Sequence, residues 1–220
     1  MKRVTTINVP ILFLAVLFCF GCASKSSDNA SISDTTMLRI EHDSISGTLS
    51  AFRSNGKEPI LTQNTKENFR PYIHPIVAPD GKGVLTEYSP GHHKHQTGLY
   101  WGFTRVNGRD YFHHPDDGYW KRVSAEIVEG TGKIVKWRTV YDMLAEDGSP
   151  VMTETQTWSM MEIMGKYYLD LEWKGEAKTD VTIGEYDYGG LFLRMPWREG
   201  IAGEVINAAR QRNEKAEGQR

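Results

Sequence analysis

Six of the seven histidines in this 220-residue chain fall between His74 and His114. Imidazole is the side chain best suited both to proton transfer near neutral pH and to binding zinc, copper, iron or nickel. The histidines come in three groups. The first lies in Arg70-Pro71-Tyr72-Ile73-His74-Pro75, where two prolines stiffen the backbone and push Arg70 and His74 into extended geometry. The second, Pro90-Gly91-His92-His93-Lys94-His95-Gln96-Thr97-Gly98, runs into the apolar stretch Leu99-Tyr100-Trp101-Gly102-Phe103. In an extended segment His93 and His95 point to one face and His92 to the other. A two-residue claw is then available, with His74 or His114 as a third ligand for a divalent metal. The third group, His113-His114, sits beyond the next hairpin and fits a surface turn. Against any chemistry stands a simpler reading, in which histidines in loops rich in Pro and Gly serve as hydrogen-bonded scaffolding. No Asp or Glu lies between Tyr88 and Asn107, so a carboxylate partner must come from elsewhere in the chain. His42 reads as structural.

Strands must position these loops. Val135, Trp137, Thr139, Tyr141 and Met143 alternate with polar residues, the period of two expected where one strand face is buried and the other wet. Tyr167, Leu169, Leu171 and Trp173 alternate with Tyr168, Asp170, Glu172 and Lys174 in the same way. Turn chemistry separates the runs, as at Ser54-Asn55-Gly56, Pro79-Asp80-Gly81, Asn107-Gly108 and Asp147-Gly148. No sustained helical stripe precedes Ala202. The pattern predicts an all-β domain, a large antiparallel β-sandwich with long strands. Its apolar content of 39% is enough for a packed core and excludes wholesale disorder. A net charge of −2 argues against a nucleic-acid partner.

The chain begins with an address. Lys2 and Arg3 precede ten apolar residues, Ile11 to Phe20, and then Gly21-Cys22. Ten residues are too few for a membrane span of about 20, so the run reads as the apolar region of a signal peptide. The arrangement resembles a bacterial lipoprotein signal in which Cys22 takes the lipid. Residues 23–36, rich in Ser, Asp, Asn and Thr, read as a flexible tether, and 37–220 as the β-sandwich domain. Cys19 would leave with the signal, so the folded part carries no cysteine and cysteine chemistry drops out. At the other end, Arg210 to Arg220 holds no large apolar residue. That charged stretch reads either as a solvated tail or as the sign of a domain that continues further.

Four segments carry a family resemblance. Arg70-Pro-Tyr-Ile-His74-Pro, then His93-Lys-His95-Gln-Thr-Gly-Leu-Tyr-Trp-Gly, then Val106-Asn-Gly-Arg-Asp110-Tyr-Phe, resemble in order and spacing a bacterial domain family of unknown function. Its members are widely labelled methane oxygenase PmoA, or PmoA family protein. Gly184-Glu185-Tyr186-Asp187-Tyr188-Gly189-Gly190-Leu191-Phe192-Leu193-Arg194 is similar to a further strand of that family. The resemblance runs from about Arg39 to the last residue and implies a C-terminally truncated member. The label itself carries little. The methane monooxygenase subunit of the same name is a multi-span helical protein, and this chain has no run near 20 apolar residues after its signal.

The resemblance implies an architecture similar to the supersandwich of aldose epimerases and polysaccharide lyases. An exported lipoprotein of that kind would bind carbohydrate or act on it, as an epimerase, lyase or hydrolase. On this reading His93 or His95 is a general acid, Glu185 its carboxylate partner, and Arg70, His74, Tyr100, Trp101 and Asp187 bind substrate. Tyr100 and Trp101 are equally explained as core residues. Two alternatives stand beside it: a sugar-binding lipoprotein without catalysis, and a metal-dependent oxygenase or hydrolase using His74, His93 and His95.

Overall fold

The computed structural model describes residues 35–200, 204, 206, 207 and 209–212; the expected signal peptide with Cys22, all of the expected tether but Thr35 and Thr36, and the last eight residues lie outside them. Among the described residues there is no helix, and eleven strands follow in chain order. These are β1 (Leu38–Asp43), β2 (Thr48–Arg53), β3 (Leu61–Asn64), β4 (Tyr72–Ile76), β5 (Leu99–Gly102) and β6 (Trp120–Glu129). They continue with β7 (Thr131–Gly132), β8 (Ile134–Leu144), β9 (Pro150–Ile163), β10 (Lys166–Ala177) and β11 (Gly190–Leu193). A seven-stranded sheet, β11-β5-β4-β3-β2-β1-β7, faces a four-stranded one, β10-β9-β8-β6, and the pairing is antiparallel throughout. The all-β sandwich read from the alternation is the fold found.

Both clean alternations hold. Val135, Trp137, Tyr141 and Met143 of β8 are fully buried, and Trp137 lies parallel to Trp158 of the neighbouring strand with 6.4 Å between ring centroids. Leu38, Leu49, Leu61, Ile73 and Leu99 of the opposite sheet share one core cluster with Val135 and Trp137, while Tyr141 and Met143 pack in a second with Val106, Tyr111 and Trp120. The inward row of β10, Tyr167, Leu169, Leu171 and Trp173, is half-buried because β10 is an edge strand with a partner on one side. The hairpins behave as their turn residues demand. Asn107 and Gly108 both take positive φ, 51° and 79°, in the two-residue turn for which Asn-Gly is the preferred pair.

The inward row of β9 departs from apolar monotony. Between Met152 and Trp158 it carries Glu154 and Gln156, each 1% exposed. Trp158 Nε1 donates to Gln156 Oε1 (2.9 Å), Gln156 Nε2 to Glu154 Oε1 (2.7 Å), and Trp173 Nε1 to Glu154 Oε2 (2.8 Å). Across the sandwich Gln63 accepts from Trp137 Nε1 (3.1 Å) and donates to the carbonyl of Tyr72 (3.1 Å). A chain of indole and amide donors thus satisfies Glu154, Gln156 and Gln63 at the centre of the core.

Burial pushes the Glu154 carboxyl up to about 7, against the pull of Trp173, Gln156 and the charge of Arg70. A carboxyl raised in the folded state binds protons that the unfolded chain has already released. Its contribution is complete below the unfolded value of 4.5 and is lost as pH rises through about 7. Glu154→Gln, neutral at every pH, removes that dependence. Urea unfolding of the two proteins at pH 5 and pH 8 is expected to show the variant gaining relative to the parent at the higher pH.

Candidate functional site

The stiff segment that opens the histidine region delivers Arg70 into the protein rather than to its surface. Arg70 is 0% exposed. Its guanidinium lies 3.9 Å from the centroid of the Tyr100 ring, and its two terminal nitrogens donate to the carbonyls of Phe112 (2.9 Å) and His95 (2.6 Å). Longer contacts of 3.4 Å reach the Tyr111 carbonyl and Thr97 Oγ1. Its own amide donates to the Pro115 carbonyl at 2.6 Å. Burial pulls the guanidinium down to about 10, so it stays charged at neutral pH. Arg70 therefore holds the site together and does not touch a ligand, which corrects its expected role. Tyr100, 1% exposed and stacked on Phe192 at 5.3 Å, is core in the same way. Trp101 is half-buried against Trp173, at 4.9 Å and nearly parallel, on the opposite side of β5 from Tyr100.

The second histidine group is a chain of turns, not the extended strand expected from its sequence. His93 N donates to the Pro90 carbonyl (2.8 Å) and Gln96 N to the His93 carbonyl (3.0 Å), while a bridge between Tyr88 and Thr97 closes the loop. Even so, the rings of His93 and His95 come together, 6.0 Å apart and edge to face. Gly98 sets the exit. Its φ is +93°, and a Cβ there would lie 2.4 Å from the carbonyl oxygen of Ile73, so no other residue fits.

His113 completes the cluster. Its ring lies 4.6 Å from that of His95, and Phe112 packs against both. Asp110 turns the chain to place it: Oδ1 accepts the amides of Phe112 and His113 at 3.0 Å each, and Oδ2 accepts His113 Nδ1–H at 2.7 Å. Burial raises the Asp110 carboxyl, but these bonds outweigh it and hold the group below the usual carboxylate range. An ionised carboxylate can only accept, so Nδ1 carries a proton, and Nε2 pairs with the Tyr188 hydroxyl at 3.2 Å. Partial burial and a hydrogen bond with Tyr186 push the Tyr188 phenol up to about 12. Burial, with His113, Arg70 and His93 close by, pushes His95 down to about 4. At neutral pH the site thus presents a neutral imidazole beside an Asp110–His113–Tyr188 chain. His95, His113 and Tyr188 line a depression of about 480 Å³, walled by Phe112 and Phe192, with Asp110 behind His113.

The other expected residues lie apart. His74 bonds Thr86 Oγ1 through Nδ1 (2.9 Å), packs against Tyr88, and lines a different depression with Glu87 and Arg198. Among the described residues no three His, Cys, Asp or Glu side chains are grouped to hold a metal ion, so the set His74, His93 and His95 is not assembled. Glu185 and Asp187 are exposed and do not line the histidine pocket. Asp110 is the carboxylate seen bonded to His113. Its spacing to His113, three residues, was open to reading in the sequence, whereas nothing local marks Tyr188.

A two-sheet antiparallel sandwich with an aromatic-walled histidine pocket beside one sheet edge is the class of protein these features define. The chain belongs to the family of unknown function DUF6807, whose model matches residues 52–220, a span that includes every residue of the pocket. No curated protein and no solved structure matches it.

Replacing Arg70 tests the keystone role. Arg70→Gln strands the carbonyls of His95 and Phe112, and is expected to cost about 3 kcal/mol of stability by urea denaturation. NMR contacts between the His95 and His113 rings are expected to vanish in the same variant.

Proposed function

We propose that the protein is an exported, lipid-anchored carbohydrate-active enzyme that uses histidine-centred acid/base chemistry. The observation that carries this reading is the Asp110–His113–Tyr188 chain facing a neutral His95 across an apolar, aromatic-walled pocket. Aromatic walls such as Phe112, Phe192 and Tyr188 suit the C–H faces of a sugar ring, and Gln96 supplies an amide for its hydroxyls.

The chemistry follows from the protonation states. His95, neutral above about pH 4, accepts a proton from the substrate. Tyr188 exchanges a proton with an oxygen of the substrate while His113 takes or returns the hydroxyl proton at Nε2. Asp110 fixes the tautomer of His113 and stabilises the imidazolium whenever it forms, the logic of a nucleophile or base oriented by a third group. Two proton-exchanging groups on one pocket serve epimerisation, elimination or hydrolysis alike. His93, at the mouth beside His92, completes the wall rather than the pair.

A glycan panel screened for product formation tests the reading. Wild type is expected to turn over at least one glycan, and His95→Ala and Asp110→Asn to lose about a hundredfold or more in rate with binding retained. The rate is expected to fall in acid with a midpoint near pH 4, where His95 protonates and can no longer accept a proton. Binding without turnover in the wild type would make the protein a sugar-binding module instead. Anchoring is checked separately by metabolic labelling with a fatty acid, which Cys22→Ser is expected to abolish.

A further inference from the structure

Asp110 lines a different depression, of about 630 Å³, that shares no residue with the histidine pocket. Its volume is that of a small-molecule site, for which roughly 300–1,000 Å³ is usual. Val106, Tyr111 and Val151, all buried, give it an apolar floor. The wall is the Asn107-Gly108 hairpin, closed by the paired amides and carbonyls of Val106 and Arg109 at 2.9 and 3.0 Å. Asn107 pins that hairpin to the chain ahead of β11, accepting from Thr182 N (2.8 Å) and donating to the Asp180 carbonyl (3.0 Å).

This rigid hairpin presents Arg109. The guanidinium lies flat on Tyr119, 3.9 Å from the ring centroid, and one terminal nitrogen donates to the Gly118 carbonyl at 2.8 Å. His114 stacks on the same ring at 4.6 Å and 10°, which fixes the platform. The rest of the guanidinium is only partly satisfied, with the Tyr111 side chain as a further neighbour. Nε is buried with no partner, and Nη1 lies 3.9 Å from Glu146 Oε1, beyond hydrogen-bond distance, on a side chain that is 93% exposed. The other carboxylate of the wall, Asp110, is committed to His113 and to two backbone amides. An arginine held flat, largely desolvated and with donors to spare is a preorganised partner for a planar anion.

We propose that this depression binds a carboxylate-bearing small molecule, a sugar acid or similar organic acid, with Arg109 taking the carboxylate and Glu146 swinging aside. The site stands independently of the acid/base reading. Calorimetric titration of the full chain with glucuronate, acetate, inorganic phosphate and glucose tests it. Glucuronate is expected to saturate a single site, acetate to bind more weakly and glucose not at all. Arg109→Gln is expected to weaken glucuronate by about tenfold or more, and Glu146→Gln to strengthen it by removing a competing carboxylate. Because Glu146 is exposed, the second variant stays readable if the first fails to fold. His95→Ala is expected to leave glucuronate binding unchanged, so failure here is distinct from failure of the histidine pocket. Absence of saturable glucuronate binding, phosphate binding with glucuronate silent, unchanged affinity in Arg109→Gln, weaker binding in Glu146→Gln, or loss in His95→Ala would each overturn the proposal.

Discussion

One buried cation organises the histidine end of the sandwich. Among the described residues no carboxylate bonds Arg70, and its charge is spread over main-chain carbonyls contributed by the His95 loop and the Phe112 turn. The Tyr100 ring of β5 supplies the third contact through its π-face. A guanidinium is suited to this because its donors fan out in one plane while both faces stay apolar enough to pack on an aromatic ring. Two loops far apart in sequence are thereby referred to a single strand. The closeness of His95 and His113 is a property of that cation as much as of either loop.

The two polar systems of the domain divide its work. Deep between the sheets, Glu154, Gln156 and Gln63 join four strands through tryptophan indoles, and every bond there is a matter of which partner each strand faces. At the rim, Asp110, His113 and Tyr188 are assembled from turns, where side chains are half-exposed and can exchange protons with a bound molecule. Arg70 stands between the two. Its charge acts on Glu154 inside and on His95 outside, lowering the proton affinity of each.

Much of this was legible in the sequence, and the limits are physical. The strands of β8 and β10 showed themselves because one buried face imposes a period of two, and the Asn-Gly hairpin because few residue pairs accept two positive φ values. His93 and His95 were found as residue types, although their loop turns rather than extends. The role of Arg70 was misread because its partners are carbonyl oxygens, which every residue has and no sequence pattern reveals. Tyr188 meets His113 from 75 positions further along the chain, through β11 folding back onto β5. Glu154 and Gln156 sit on the inward side of β9, where polar residues disguise the alternation that would have marked the strand.

The exit from the histidine loop constrains descent as well as structure. At Gly98 the backbone of one strand passes so close to the Ile73 carbonyl that the space for a single methyl group is already taken. The histidines around it can be exchanged for other residues at the cost of chemistry alone, whereas a side chain at this position would push β4 and β5 apart. Any sequence that keeps this sandwich should therefore keep glycine there, whatever becomes of the histidines, so that the position traces the fold and not the pocket.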